Sequence, residues 1–261
     1  MKEKIVIKCG GSILDSLSDS FFASIQQLKE QGKEPIVVHG GGPAINEMLE
    51  LKGVESTFVN GLRKTTKDVL DVAEMVLCGK VNKQLVSKLQ LAGLPTVGLS
   101  GCDGQLITVE PVDSEGLGYV GEPTAVNDNL LLTMLEQGYV PVIAPIGVGD
   151  DGAHYNINAD SAAAAIASAI GAVELMFVTD VPGILKQGEV IEKLTTADVE
   201  QLMKDGTIHG GMIPKVKAAV ASLTNELHSV LIVDGRQAFL KEEGKFTGTI
   251  IQKDPVTTEA L

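Results

Sequence analysis

Ile5-Val6-Ile7-Lys8-Cys9-Gly10-Gly11-Ser12 and Ile36-Val37-Val38-His39-Gly40-Gly41-Gly42-Pro43 share one design: a short β-branched run, a basic side chain, then consecutive glycines. Runs of this length and composition read as buried strands. Further runs stand at Thr96-Val97-Gly98-Leu99, Val140-Pro141-Val142-Ile143, Leu175-Met176-Phe177-Val178 and Val230-Leu231-Ile232-Val233, with helical patterns between most of them. Strands that alternate with helices specify an α/β fold built on a largely parallel sheet.

The helical patterns cover Ser20 to Gln31, Ala44 to Leu51, Thr66 to Ala92, Asn127 to Gln137, Asp160 to Ile170, Thr196 to Lys204 and Ile213 to Glu226. Gly79 lies inside the longest of these, where a glycine costs about 1 kcal/mol against alanine. Either the helix bends there or something packs closely. Between Gly101 and Glu122 the pattern changes to alternating, Gly-rich segments, which read as a β-hairpin excursion. A composition shift over Ala144 to Tyr155 is the best boundary between two lobes, about 1–150 and 151–254, with a frayed tail at 255–261.

Composition narrows the function. Among 261 residues, 44 % are hydrophobic but only 3 % aromatic, so Val, Ile, Leu and Ala must fill the core. A formal charge of −13 lacks the basic footprint that nucleic-acid binding needs. Cys9, Cys78 and Cys102 show no CxxC spacing, and the four histidines no HxxxH pairing, so neither a disulfide framework nor a protein-built metal cage is expected. No stretch reads as a signal peptide or membrane span, which fits the cytoplasm.

The glycine loops carry the chemistry. A lysine followed by Gly10-Gly11 at a strand end lets bare N–H groups approach an anion beside a full positive charge, although a solvated lysine by a turn has the same spelling. Three glycines before a helix that Pro43 can open are more than a turn requires. Arg63, in Asn60-Gly61-Leu62-Arg63-Lys64-Thr65, can hold a carboxylate bidentately or sit on the surface. Asn156-Ile157-Asn158-Ala159-Asp160 opens a helix of small residues, where capping is the simpler reading. Thr179-Asp180-Val181-Pro182-Gly183-Ile184 ends a strand in a predicted type II turn, where open α/β sheets bind ligands. Gly210-Gly211-Met212-Ile213-Pro214-Lys215 puts a cation in a helix's first turn, against the dipole, which suggests a bound anion. Gly147-Val148-Gly149-Asp150-Asp151-Gly152 matches GxGxxG, but two aspartates would face a pyrophosphate and no helix follows, so a dinucleotide site is rejected.

In this order these segments, closed by Thr247-Gly248-Thr249, resemble the amino acid kinase family from Lys4 to about Lys253. Within it they are similar to the branch that phosphorylates the γ-carboxylate of N-acetyl-L-glutamate, in arginine biosynthesis. The resemblance implies a three-layer αβα sandwich around a mostly parallel open sheet, with direct in-line transfer from ATP, whose phosphates carry Mg²⁺. It further implies that Lys8 and Lys215 stabilise the transferring phosphoryl group, that Asp160 orients both lysines, and that Gly11 and Gly41 donate N–H groups to phosphate oxygens. The acceptor would be held by Gly41, Gly42, Arg63 and Asn156 in the first lobe. Gly10, Gly11, Thr179, Asp180, Val181, Pro182, Gly183, Ile184, Thr207, Ile208 and His209 would bind the nucleotide, mostly in the second. His39 is assigned no proton transfer. Cys9 and Ser12 stand where many relatives carry an aromatic or Leu and an Asn, and neither change removes a charge or a backbone donor.

The resemblance also implies a homodimer, over the long helix. The first strand starts at about Lys4, which leaves no room for the N-terminal helix of arginine-inhibited hexameric relatives, so insensitivity to arginine is expected. The alternatives are glutamate 5-kinase, an aminoadipate-type kinase, or a non-catalytic nucleotide or amino-acid sensor. Both lysines with Asp160 speak against the sensor, since affinity alone does not need them.

Overall fold

In the computed structural model, which describes residues 2–224, 227–241 and 244–254, the apolar side chains of the first strand, β1 (Lys4–Cys9), alternate between the two faces of the sheet. Ile5, Ile7 and Cys9 enter one apolar layer and Val6 the other. The two-residue period of a strand therefore carries Lys8 to the Val6 side, and that placement decides its partner below.

The chain continues through α1 (Asp19–Glu30), β2 (Glu34–His39), α2 (Gly42–Lys52), β3 (Phe58–Val59), β4 (Leu62–Arg63), α3 (Lys67–Glu74), a π-helical segment (Met75–Val81) and α4 (Asn82–Leu91). It then forms β5 (Thr96–Ser100), β6 (Ile107–Pro111), β7 (Val120–Val126), α5 (Asp128–Glu136), β8 (Val140–Ala144), β9 (Ile146–Val148), β10 (His154–Ile157) and α6 (Ala159–Ala169). Last come β11 (Glu174–Thr179), β12 (Leu185–Lys186), β13 (Glu189–Val190), β14 (Lys193–Thr195), α7 (Thr196–Lys204), α8 (Met212–Ala221), β15 (Ser229–Asp234) and β16 (Thr249–Gln252).

Eight strands form the central sheet in the order β14-β16-β15-β11-β1-β2-β8-β5. Every pairing is parallel except β15 with β16. Helices α5, α6, α7 and α8 cover one face and α1 and α4 the other, so the inner strands are apolar on both sides. This is the expected three-layer arrangement.

The long helix is one run with a widened middle. Thr66 caps its start by accepting the Val69 N–H, and the turns from Met75 to Val81 are π-helical around Gly79. Nothing lies within 4 Å of where a Cβ on Gly79 would stand. No close contact therefore requires the glycine.

The hairpin excursion is half of a larger unit. β6 and β7 pair antiparallel as expected, and β9 and β10 close them into a four-stranded barrel. The glycine-rich stretch expected at a lobe boundary falls on β9 and β10, while the central sheet runs on across it through the β1–β11 pairing. The GxGxxG spelling runs from the end of β9 through the turn toward β10, and the next helix starts only at Ala159. The helix read to Glu226 ends at Ala221, its last expected residues lying outside those described, as does the 255–261 tail.

At the amino end of the sheet, burial pushes the Glu174 carboxyl up to about 7, while the Ser229 hydroxyl bonded to it and the Lys33 charge pull the other way. The folded chain thus holds this proton more tightly than an unfolded carboxyl near 4.5. The resulting stability is full below about 4.5 and is lost as the pH rises through 7. Glu174→Gln is expected to raise unfolding free energy at pH 8 by at most about 3 kcal/mol and to change it little at pH 4. Urea unfolding at both values checks this, and equal effects at the two would refute it.

Candidate active site

The site begins where three neighbouring parallel strands end. Cys9 of β1 lies opposite His39 of β2 on one side and Val178 of β11 on the other. The loops after Cys9, His39 and Thr179 therefore leave the sheet side by side. The first two touch through bare backbone: a Cβ on Gly11 would stand 2.8 Å from the amide nitrogens of both Gly41 and Gly42. One on Gly41 would meet Leu77 Cδ2 of the π-helical segment at 2.5 Å. Close approach thus requires glycine at position 11, against backbone, and crowds positions 40 and 41, and α2 opens at Gly42 with Gly41 as its cap and Pro43 in its first turn. A helix N-terminus beside two glycine loops is an anion-binding arrangement.

Lys8 faces α6 because of the strand period, and its Nζ pairs with Asp160 Oδ1 at 2.7 Å. Asn158 caps the helix by accepting the Asp160 N–H at 2.8 Å, which fixes the first turn. The small residues expected beneath a site do pack closely: Ala162, Ala163 and Ala167 are buried. The side chains of Lys8 and Asp160 are only 15 % and 30 % exposed, so the pair is shielded more than a surface pair. No aligned hydrogen bond reaches the buried Asp160 Oδ1 among the described residues, so the contact is a charge pair that a better anion for Lys8 can remodel.

A cavity of about 220 Å³ joins Lys8, Gly11, Gly41 and Gly42 to Arg63 and Asn156. Arg63 is 6 % exposed, lies over the Phe58 ring at 4.6 Å, and donates from Nη1 to Ser56 Oγ (2.6 Å) and from Nη2 to the Gly42 carbonyl (3.3 Å). Asn156 Nδ2 donates to Thr65 Oγ1 at 3.3 Å, and Thr65 Oγ1 to the Arg63 carbonyl at 2.8 Å. The surface reading of Arg63 is thereby excluded: it is a buried cation with donors turned to a cavity, and burial pulls its guanidinium down from the usual range.

Across β11 the arrangement differs from the expectation in two respects. Lys215 does not line that cavity and is not on Asp160; its Nζ donates to Asp180 Oδ1 at 2.5 Å, and that bond holds the Asp180 carboxyl below the ordinary range. Residues 181–184 form no type II turn, because Gly183 has φ +141° and the Ile184 N–H bonds outward to Thr249 Oγ1 at 2.8 Å. A Cβ on Gly183 would stand 2.6 Å from that same hydroxyl. Thr179 Oγ1 accepts the Val181 N–H (3.2 Å), so Asp180 and Pro182 follow from a pinned start. Thr207, Ile208 and His209 lead from α7 into α8, with Ile208 buried in the same apolar layer as Ile184.

Other groups near the loops went unread in the sequence. Asp234, at the end of β15 opposite Thr179, takes three bonds from Arg236, the backbone N–H and Nε to Oδ1, each at 2.9 Å, and Nη2 to Oδ2 at 2.8 Å. That Arg236 clamp holds the Asp234 carboxyl below its ordinary range. A carboxylate two residues before an arginine at a strand end was the available signal. Cys9 points away from Lys8 into the opposite apolar layer, and burial pushes its thiol up to about 12, which makes it filler. Among the described residues, no group of three His, Cys, Asp or Glu could hold a metal, and no helix is long and apolar enough to cross a membrane.

The model of the amino acid kinase family matches residues 3–234. The chain is 56 % identical over 259 residues to the acetylglutamate kinase of Halalkalibacterium halodurans, covering 99 % of this chain and 100 % of that one. It is 58 % identical over 254 residues to the acetylglutamate kinase of Geobacillus thermodenitrificans, covering 97 % and 98 %. Among solved structures, that of smu.665 from Streptococcus mutans UA159 superposes with a TM-score of 0.84 at 35 % identity, covering 97 % of this chain and 100 % of that one. A family match over residues 3–234, with relatives of this identity along almost their whole length, leaves one assignment: the chain belongs to the amino acid kinase family.

Proposed function

We propose that this chain transfers the γ-phosphoryl group of ATP to the γ-carboxylate of N-acetyl-L-glutamate, giving N-acetylglutamyl 5-phosphate and ADP. The observation that carries the reading is the single cavity lined at once by Lys8, paired with Asp160, and by Arg63 and Asn156. One set suits a phosphoryl group and the other a carboxylate and an amide.

The acceptor carboxylate is ionised at pH 7, so no base is needed. One of its oxygens attacks the γ-phosphorus, a new P–O bond forms, and the bond to the bridging oxygen breaks as ADP leaves with that electron pair. Catalysis then consists of positioning and charge stabilisation. Gly41 and Gly42 N–H groups and Lys8 would meet the equatorial oxygens, and Arg63 would clamp the acceptor's α-carboxylate. Mg²⁺, held by the triphosphate, supplies charge neutralisation there. The nucleotide would lie along Thr179 to Ile184 and by Thr207 to His209. Lys215 would reach it by exchanging Asp180 for phosphate, an exchange helped by the exposure of both side chains, 34 % and 56 %.

ADP release measured with N-acetyl-L-glutamate, L-glutamate and an aminoadipate derivative tests the reading. Turnover confined to the first supports it, and preference for another acceptor overturns it. Arg63→Lys is expected to raise the KM for N-acetylglutamate about 10- to 100-fold, the loss of one charge-assisted clamp, with kcat changed less than threefold. An unchanged KM would remove Arg63 from the acceptor site.

A further inference from the structure

His39 and Asn82 are both fully buried although polar, and neither is used by the mechanism above. Their bonds fix one orientation. Asn82 Nδ2 lies 2.9 Å from the Val142 carbonyl and 3.3 Å from that of Leu99, while Lys83 Nζ sits 3.0 Å from Asn82 Oδ1, so the amide cannot be reversed. The same Nδ2 stands 3.1 Å from His39 Nε2 and can only donate to it. Nε2 is therefore the bare nitrogen, and Nδ1 carries the hydrogen that it donates to the Gly40 carbonyl at 2.9 Å.

The π-helical segment makes this possible. Leu77 meets Gly41 and Asn82 meets His39, so two residues five apart on the helix serve two positions at the end of β2. An α-helix would turn them about 140° from each other, whereas i→i+5 bonding brings them nearer to one face. From the structure we infer that His39 and Asn82 are positioning residues for the anion-binding loop: together they hold the Gly40 carbonyl from behind, and so keep the Gly41 and Gly42 N–H groups on the hollow beside Gly11. Burial also pushes the imidazole down to about 4, so it stays neutral while the enzyme works, and Lys83 adds to this.

The inference rests on the phosphoryl-transfer reading. His39→Leu and Asn82→Leu are expected to lower kcat about 10- to 100-fold per folded molecule, with the acceptor KM changed less than threefold, because Arg63 and Asn156 are untouched. His39→Asn, whose amide can donate to the Gly40 carbonyl, is expected to recover at least tenfold over His39→Leu. Variants whose kcat falls only in step with their folded fraction would overturn the role. Should the leucine variants not fold, ¹⁵N-histidine NMR of the unaltered protein decides: a bare Nε2 and protonated Nδ1 at pH 7 are expected, and the opposite tautomer overturns the inference. An unaltered protein inactive on every acceptor would sink the phosphoryl-transfer reading instead, and leaves the tautomer measurement to stand alone.

Discussion

Lys8→Ala is expected to lower kcat about 100-fold or more, the loss that follows removal of one transition-state donor in a shielded site. Lys8 lines the cavity that also holds Arg63 and Asn156, and its Nζ pairs with Asp160 Oδ1 at 2.7 Å. The variant also leaves Asp160 without its counter-ion, at up to about 3 kcal/mol of stability, the low end for breaking a buried pair. The two effects separate in a double variant: Lys8→Met with Asp160→Asn is expected to regain stability and no activity. Thermal unfolding beside single-turnover measurement distinguishes them, and near-normal turnover in Lys8→Ala would refute the role.

Gly11→Ala is expected to be nearly as damaging, about 100-fold in kcat/KM, for a reason that involves no charge. The added methyl would lie 2.8 Å from two backbone nitrogens, and backbone anchored to adjacent strands cannot step aside as a side chain can. The loops must separate, and misplacement by less than an ångström near the reacting atoms costs rate on this scale. The methyl would also cover the N–H groups themselves. A Gly11→Ala variant with unaltered kcat/KM would remove the glycine contact from the mechanism.

The strands and their glycine ends were legible because burial on both faces writes Val and Ile in unbroken runs, and close backbone approach admits only glycine. Lys8 could be placed on a strand end, but its partner depended on which face of β1 it takes, which the two-residue period resolves once α6 is known to cover that face. Asp180 with Lys215, Asp234 with Arg236 behind Thr179, and His39 with Asn82 were not legible as pairs. In the first and last, partners lie 35 and 43 residues apart, and no periodicity links such positions. β9 and β10 were hidden for a different reason: they are short, and the glycines and aspartates of their turn outweigh them in any composition window. The π-helical segment keeps the apolar spacing of a helix, so Gly79 was its visible trace and its geometry was not.

The loops after β2, β1 and β11 are anchored on adjacent rungs of one sheet, and adjacent strands stand about 4.8 Å apart. The sheet therefore acts as a ruler: in the proposed reaction, acceptor side, phosphoryl group and nucleotide side would be spaced in steps fixed by backbone hydrogen bonds, indifferent to which side chains fill the core. Changes of acceptor can then arise on the Arg63 flank alone, one mark away from the transfer step, without redrawing the scale on which that step is measured.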